Sequence, residues 1–227
     1  MTGNAQATAL RRLLERDDEK GGERRDERLR TENGRTSAGR AIRFLKAFLD
    51  APGRIGSIVP SSATLSCNLA ECAMSAWKGG IVLELGPGTG PITEALIDAG
   101  LPPEALVTVE RHPDLHASLR RRVPGARHEL GDAADAANFL SGRLPDAIVS
   151  GLPFLSLPED VRRSVISGIF PLLSEGSPLI QFTYAPGRPP IPRSALPEPE
   201  GWKVAPIRRI LRNVPPATIW SYERKQD

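Results

Sequence analysis

The protein has 227 residues, of which 40% are hydrophobic and 25% are charged. This length fits one α/β domain with a short appendage, and the composition excludes collagen, a small disulfide scaffold and a fully disordered chain. Cys67 and Cys72 are spaced as neither a redox pair nor a zinc knuckle, so we expect no metal site. No apolar run reaches the roughly 18–20 residues of a membrane span, and no secretory signal is visible, so we expect a soluble protein or one that lies on a membrane surface.

Charge is distributed unevenly along the chain, although the net charge is only +3. Residues 1–60 contain 13 Lys/Arg against 9 Asp/Glu, residues 61–184 contain 9 against 14, and residues 185–227 contain 8 against 4. An acidic middle is therefore flanked by basic ends. An anionic partner is expected to meet those ends.

The two N-terminal segments differ in their patterns. Residues 1–37 have few apolar side chains and are predicted to form a charged flexible tail, because they bury too little surface to offset the entropy of ordering. Residues 38–52 are predicted to form a basic amphipathic helix, which is typical of segments that lie in a lipid headgroup interface. Packing of this helix on the domain core is the alternative. The side chains predicted to bind the membrane are Arg40, Arg43, Phe44, Lys46 and Phe48.

Helix and strand patterns alternate in the rest of the chain, which predicts a doubly wound parallel sheet. The predicted strands are Ile81–Leu85, Leu106–Glu110, Arg127–Leu130, Asp146–Ser150 and Pro178–Tyr184. The predicted helices are residues 63–76, Pro91–Asp98, Pro113–Arg122, Asp135–Leu140 and Glu159–Leu173. A proline-rich loop over Ala185–Gly201 follows. The runs Trp202–Val214 and Ala217–Arg224 are predicted to close the sheet as an antiparallel pair.

The most informative motif is Glu84-Leu-Gly-Pro-Gly-Thr-Gly90, which follows a strand and opens a helix. Its glycines allow a tight turn and let a ligand approach the strand end. The spacing G-x-G-x-G differs from the G-x-G-x-x-G of dinucleotide sites. In addition, the Glu84 carboxylate would repel a pyrophosphate and attract a cationic amino-acid group.

Two more carboxylates end the next strands. Glu110 lies about 20 residues after the glycines, where a carboxylate accepts hydrogen bonds from both ribose hydroxyls. Asp132 ends the third strand, where it can reach an adenine amino group. An acid, a glycine loop and two further acids at successive strand ends predict a site for S-adenosylmethionine. Structural glycines with surface carboxylates are the alternative.

On these residues the chain resembles the class I S-adenosylmethionine-dependent methyltransferases, and residues 53–227 are expected to form that domain. The resemblance implies a Rossmann-like α/β fold with a seven-stranded, mostly parallel sheet and a terminal antiparallel β-hairpin. It also implies S-adenosylmethionine as cofactor and S-adenosylhomocysteine as product. The cofactor-binding residues that it implies are Glu84, Gly86, Gly88, Thr89, Gly90, Glu110, Arg111, Asp132 and Ala133.

The fourth predicted strand leads into Ser150-Gly-Leu-Pro-Phe154, at the position that faces the transferred methyl group in this class. The motif is similar to the N-P-P-Y or N-L-P-Y of nucleic-acid amino methyltransferases, especially the ribosomal RNA adenine dimethylases. Gly151 stands where those enzymes have Asn, which removes the side-chain acceptor. An adenine N6-methyltransferase of nucleic acid is therefore the alternative function, and a cofactor-binding module without activity is a third.

The variant S-G-L-P is similar to the bacterial phospholipid N-methyltransferases, as are Gly56–Ser62, Gln181–Tyr184 and a basic helix ahead of the fold. This resemblance implies methylation of the phosphatidylethanolamine amine, repeated up to three times to give phosphatidylcholine. It also implies a peripheral enzyme on the cytoplasmic face of the bacterial inner membrane, with anionic membranes as its partner and no nucleic acid.

Transfer of a methyl group requires a neutral amine held in line, because proximity provides much of the acceleration. The candidates to orient the amine are the carbonyls of Ser150 and Gly151 and the hydroxyl of Tyr184. Packing of Tyr184 at the end of the sheet is the alternative. A general base is not required if the amine loses its proton to water. The predicted substrate-binding residues are Leu152, Pro153 and Phe154.

Overall fold

The computed structural model of the protein describes residues 60–185, 187–211, 213 and 216–225. The predicted tail and the predicted amphipathic helix lie outside the described residues. So do the predicted membrane-binding side chains Arg40, Arg43, Phe44, Lys46 and Phe48. Within the described part of the chain, every helix is too short or too polar to cross a bilayer.

Strands and helices alternate along the described chain. The α-helices are α1 (Pro60–Ala76), α2 (Pro91–Asp98), α3 (Pro113–Arg122) and α4 (Glu159–Ile169). The strands are β1 (Ile81–Leu85), β2 (Leu106–Glu110), β3 (Arg127–Leu130), β4 (Pro145–Ser150), β5 (Leu179–Thr183), β6 (Trp202–Ile210) and β7 (Ala217–Arg224).

The seven strands form one sheet in the order β3-β2-β1-β4-β5-β7-β6. Strands β1 to β5 pair in parallel, whereas β7 runs antiparallel to both β5 and β6. The predicted Rossmann-like sheet with a terminal antiparallel hairpin is therefore confirmed. Strand order reverses between β1 and β4, and in such sheets ligands bind outside the carboxyl ends of the strands at this point.

Both faces of the sheet are covered, which explains why β1 and β2 are buried along their whole length. Helices α1 and α2 pack on one face through side chains such as Leu69 and Leu96. On the other face, α4 and the loop before β6 pack through Ile169 and Ile191. The alternation of apolar strands with helices predicted this layered core.

Two predicted helices differ from the structure. The segment predicted as a helix over Asp135–Leu140 is a 3₁₀ helix, Ala133–Phe139. It packs so closely on α4 that a Cβ at Gly168 would lie 2.0 Å from the Ala134 carbonyl oxygen. The helix predicted to extend to Leu173 ends as an α-helix at Ile169, because Pro171 lacks an N–H and clashes with the preceding turn.

The proline-rich loop connects β5 to β6 across the α4 face of the sheet. Ile191 is fully buried in its middle. The Ile191 N–H donates to the Tyr222 hydroxyl at 2.8 Å, and that hydroxyl donates to the Ile191 carbonyl at 3.0 Å. The loop thus takes the place of a crossover helix. Strand β6 ends at Ile210, four residues earlier than the predicted Val214.

Candidate active site

The predicted site residues come together at the carboxyl edge of the sheet. The glycine loop (Gly86–Gly90) connects β1 to α2 at this edge, and the S-G-L-P segment (Ser150–Phe154) starts at the end of β4. Since β1 and β4 are neighbours in the sheet, the loop and the segment lie side by side at the point where strand order reverses.

The backbone of the glycine loop requires glycine at three positions. Gly86, Gly88 and Gly90 have φ angles of 64°, 58° and 85°, in the left-handed region that other residues rarely adopt. The Gly86 N–H donates to the Val109 carbonyl of β2 at 3.0 Å. The loop then enters α2, whose first turn contains Pro91. The spacing of the three glycines thus follows from one tight turn.

The glycine loop and the S-G-L-P segment are in direct contact. The Gly151 N–H donates to the Leu85 carbonyl at 2.8 Å. A Cβ at Gly151 would lie 2.6 Å from the Gly86 carbonyl oxygen, and a Cβ at Gly86 would lie 2.6 Å from the Leu152 side chain. The position where the adenine dimethylase motif has Asn therefore has no room for any side chain in this backbone arrangement.

Glu84 is a fully buried carboxyl group on β1. Its Oε2 accepts a hydrogen bond from the Thr93 hydroxyl at 2.6 Å, while its Oε1 has no partner among the described residues. Burial raises the pKa of Glu84 to about 8. The hydrogen bond from Thr93 lowers this pKa, whereas the negative charge of Glu110 raises it further. A buried acceptor of this kind favours a cationic donor, because leaving it unpaired costs free energy.

Glu110 ends β2 and is 5% exposed. Its Oε2 accepts from the Gly88 N–H at 3.0 Å, and its Oε1 accepts from the His112 N–H at 2.9 Å. The carboxylate is thus held against the glycine loop by two backbone donors. Each oxygen has a further lone pair, which leaves capacity for additional donors.

The remaining predicted cofactor residues lie around the ends of β2 and β3. Asp132 is exposed and its Oδ1 accepts from the Ala134 N–H at 2.9 Å, which caps the 3₁₀ helix. Arg111 is exposed directly after β2, and Ala133 is buried at the start of the 3₁₀ helix. Thr89 is exposed in the glycine loop.

Arg122 is a residue that the sequence did not single out. It is the last residue of α3, and its guanidinium donates to the Thr89 carbonyl and pairs with Glu94 in the first turn of α2. The basic last turn of α3 is visible in the sequence, but only the fold shows which arginine reaches the loop. Arg122 therefore holds the end of the glycine loop next to α2.

Gln181 is a second residue that sequence reasoning left without a role of its own. It lies on β5 in register with Ser150, and its side-chain amide donates to the Leu152 carbonyl at 2.8 Å. The Ser150 hydroxyl accepts from the Leu152 N–H at 3.2 Å. Two neutral side chains therefore hold both backbone groups of Leu152. A buried glutamine within an apolar strand was the available signal.

The other predicted acceptor residues lie in different surroundings. Pro153 is exposed, Leu152 is half-buried, and Phe154 is 1% exposed in the core on the α4 face. Tyr184 packs edge-on against Phe182, with ring centroids 5.5 Å apart, beside the cluster on the α1 face. Burial raises the pKa of the Tyr184 hydroxyl, and a hydrogen bond with Asn213 opposes this rise.

Comparisons with known proteins find relatives among lipid and ribosomal RNA methyltransferases. No family model matches the chain. It is 33% identical over 150 residues to the ornithine lipid N-methyltransferase of Singulisphaera acidiphila, covering 63% of this chain and 77% of that protein. It is also 42% identical over 77 residues to the ribosomal RNA small subunit methyltransferase A of a Synechococcus strain, but covers only 27% of that protein and 32% of this chain.

Two solved structures share the fold. A TehB-like S-adenosylmethionine-dependent methyltransferase from Corynebacterium glutamicum superposes with a TM-score of 0.53 at 21% identity, covering 83% of this chain and 98% of that one. The N-methyltransferase NodS from Bradyrhizobium japonicum, solved with S-adenosylhomocysteine, gives a TM-score of 0.54 at 16% identity, covering 72% and 87%. At such identities the likeness is one of fold.

Proposed function

Because the chain belongs to the class I S-adenosylmethionine-dependent methyltransferases, in the family of the Singulisphaera ornithine lipid N-methyltransferase, we propose that it methylates the headgroup amine of a membrane lipid. The proposed substrate is phosphatidylethanolamine, methylated up to three times to give phosphatidylcholine. The lipid named for the relative supports an aminolipid substrate, since both headgroups present a primary alkyl amine.

The proposed cofactor contacts follow from the carboxylates at the strand ends. S-adenosylmethionine supplies an electrophilic methyl group on a positively charged sulfur. The unpaired Oε1 of Glu84 would accept from the amino group of its methionine portion, and the spare lone pairs of Glu110 from the ribose hydroxyls. Asp132 would reach the adenine amino group, with Arg111 and Ala133 beside the ring.

The proposed acceptor site consists of neutral oxygens. An amine attacks through its lone pair, so its N–H bonds must be held by acceptors that point the lone pair at the methyl carbon. The backbone carbonyls of Ser150 and Gly151 and the Tyr184 hydroxyl would do this, with Leu152 and Pro153 beside the headgroup and the buried Phe154 supporting them. As the N–C bond forms and the S–C bond breaks, the displaced N–H proton leaves to water.

The observation that supports a lipid rather than a nucleic-acid base is the steric situation of Gly151. A Cβ there would lie 2.6 Å from the Gly86 carbonyl oxygen, so the Asn amide that holds the target base in the adenine dimethylases has no equivalent. A flexible alkyl amine needs no planar base-binding pair. The much larger share of the lipid methyltransferase that the chain covers points the same way.

We further propose that residues 1–37 are a charged tail, that residues 38–52 form the helix that attaches the enzyme to anionic membranes, and that residues 53–227 form the catalytic domain. The proposed location is the cytoplasmic face of the bacterial inner membrane. Each Lys or Arg near an anionic surface contributes about 1 kcal/mol to binding. The charge balance of the first 60 residues supports this assignment.

The test is transfer of labelled methyl groups from S-adenosylmethionine to vesicles of phosphatidylethanolamine, with and without phosphatidylglycerol. Vesicles containing ornithine lipid and purified ribosomal RNA are assayed in parallel. Glu84→Gln, expected to weaken transfer to every substrate, reveals any contaminating methyltransferase. We expect methylated phosphatidylethanolamine and more of it with the anionic lipid.

The other outcomes have different consequences. Transfer to ornithine lipid alone would retain lipid N-methylation and replace the headgroup. Transfer to phosphatidylethanolamine without dependence on phosphatidylglycerol would retain the reaction and reject the membrane role of residues 38–52. Transfer to ribosomal RNA alone would reject a lipid as the substrate.

A further inference from the structure

Large apolar side chains are exposed at only a few places in the described chain. They are Leu130 at 49%, Leu144 at 51%, Ile207 at 44% and Leu211 at 75% exposure. Single exposed apolar residues are ordinary on a protein surface. Two of these four, however, are close in sequence: Ile207 lies on the outermost strand, β6, and Leu211 directly follows that strand. We call Ile207, Arg209 and Leu211 the edge patch.

The pairing register locates the edge patch relative to the candidate site. Arg209 pairs with Thr218, and Thr218 also pairs with Thr183 at the end of β5. Leu211 follows the last residue of β6, so it lies at the carboxyl edge of the sheet, where β4 also ends. Three strand spacings separate β6 from β4, which is about 14 Å across the sheet.

The charge of the patch is open to solvent. Arg208 is bound by Asn68 and Glu71 of α1, so its charge is compensated inside the protein. Arg209 is exposed and has no ion pair with any described residue. An exposed leucine two residues from a guanidinium that has no ion pair among the described residues matches a surface that is anionic outside and apolar beneath.

We infer that the edge patch rests on the surface of an anionic phospholipid bilayer. Leu211, at the carboxyl edge, enters the boundary of the acyl chains, and Arg209, two residues earlier on β6, meets the lipid phosphates. This inference rests on the proposed lipid substrate. A headgroup amine stays close to its bilayer, so the carboxyl edge that receives it must face the membrane, and Leu211, the last residue of the patch, lies on that edge.

The test is co-sedimentation of the full chain with vesicles of phosphatidylcholine containing phosphatidylglycerol. Leu211→Ser and Arg209→Gln are compared with wild type. The matched control is Leu144→Ser, since Leu144 is also an exposed leucine but precedes β4 at the opposite edge of the sheet. Affinity for S-adenosylmethionine is measured for each variant to show that it is folded.

We expect Leu211→Ser to weaken vesicle binding about tenfold and Arg209→Gln about fivefold, with Leu144→Ser binding as wild type does. The arginine effect should vanish on vesicles of phosphatidylcholine alone. Binding of both patch variants at the wild-type level, or equal weakening by Leu144→Ser, would overturn the inference.

Methyl transfer to lipid, measured with the same proteins, separates this inference from the proposed function. Vesicle binding that depends on the patch, together with no transfer to any lipid by wild type, would reject the proposed function and leave the patch as a lipid contact. Lipid methylation by wild type with no effect of either patch variant on vesicle binding would reject the patch alone.

Discussion

The two halves of the candidate site are built from different chemistry. At the ends of β1 and β2, the buried carboxyls of Glu84 and Glu110 lie behind the glycine loop. At the ends of β4 and β5, residues 150–154 and 181–185 contain no charged side chain. Ser150 and Gln181 instead hold the backbone of Leu152 with neutral groups.

This difference matches what each half is proposed to bind. A cationic cofactor is favoured by carboxylates, because a charge-assisted hydrogen bond is roughly twice as strong as a neutral one. A neutral amine that must remain nucleophilic is better held by carbonyl and hydroxyl oxygens, since a carboxylate would favour its protonated form. The two halves touch at Gly86 and Gly151, so changes there should affect both, and changes elsewhere should affect one.

The largest effect is expected for Gly151→Ala. The added Cβ would lie 2.6 Å from the Gly86 carbonyl oxygen, so the glycine loop or the S-G-L-P segment must shift. We expect methyl transfer to fall about 100-fold and affinity for S-adenosylmethionine to fall as well. Calorimetric binding and a transfer assay measure the two. Gly201→Ala is the control, because a Cβ there meets nothing within 4 Å. Loss of transfer with unchanged cofactor affinity would show that the two halves are not coupled here.

Glu84→Gln should act on the cofactor half. Replacement of the buried carboxyl removes the acid that is proposed to become charged beside the cofactor amine, and we expect affinity for S-adenosylmethionine to fall about 10- to 100-fold. Glu104→Gln is the control, since Glu104 is exposed in the turn before β2. Equal affinities for Glu84→Gln and wild type would contradict the proposed role.

The same variant tests the pKa of Glu84 without cofactor. The folded protein retains this proton up to about pH 8, whereas an unfolded glutamate releases it near pH 4.3, about its ordinary pKa. The contribution of Glu84 to stability is therefore greatest below its ordinary pKa and falls as the pH rises through this window, by up to about 1.4 kcal/mol per pH unit. The free energy of unfolding of wild type minus that of Glu84→Gln should decline from about pH 5 to about pH 8. A difference in the free energy of unfolding that stays constant across this pH range would contradict the raised pKa of Glu84.

Gln181→Leu should act on the acceptor half. The change removes the donor to the Leu152 carbonyl, and a buried acceptor left without its donor costs about 1–3 kcal/mol. We expect methyl transfer to fall about tenfold with unchanged affinity for S-adenosylmethionine. Gln181→Glu, which keeps the shape but loses the amide donor, should also lower transfer. A fall in cofactor affinity equal to the fall in transfer would remove the distinction between the halves.

Arg122→Met should lower cofactor affinity and spare transfer, the reverse of Gln181→Leu, and its effect should be the smallest of these variants. It frees the Thr89 carbonyl and Glu94 from the guanidinium, and the loop gains freedom that cofactor binding must remove. We expect affinity for S-adenosylmethionine to fall about fivefold, while transfer at saturating cofactor is retained. Arg121→Met is the control, because Arg121 is exposed and its side chain makes no hydrogen bond or ion pair with any described residue. Similar affinities for the two variants would show that Arg122 does not hold the loop.

Much of the fold could be predicted because its signals are local. Apolar runs such as Ile81–Leu85 form strands wherever they are buried on both faces, and Pro91 marks the start of a helix in any context. The boundaries were less accurate. The segment Ala133–Phe139 is a 3₁₀ helix whose backbone packs against Gly168 of α4, a contact that no local pattern encodes.

By itself, the sequence determined the alternation of strands and helices, the glycine loop with its acid, and the order of carboxylates at successive strand ends. The tertiary structure alone decided which distant groups meet. It brought Arg122 to Thr89, Gln181 to Leu152 and Gly151 to Gly86, and it brought Leu211 to the carboxyl edge. The physical reason is that local propensity depends on neighbours in the chain, whereas these contacts depend on strand order and register, which bring together residues 29 to 65 positions apart.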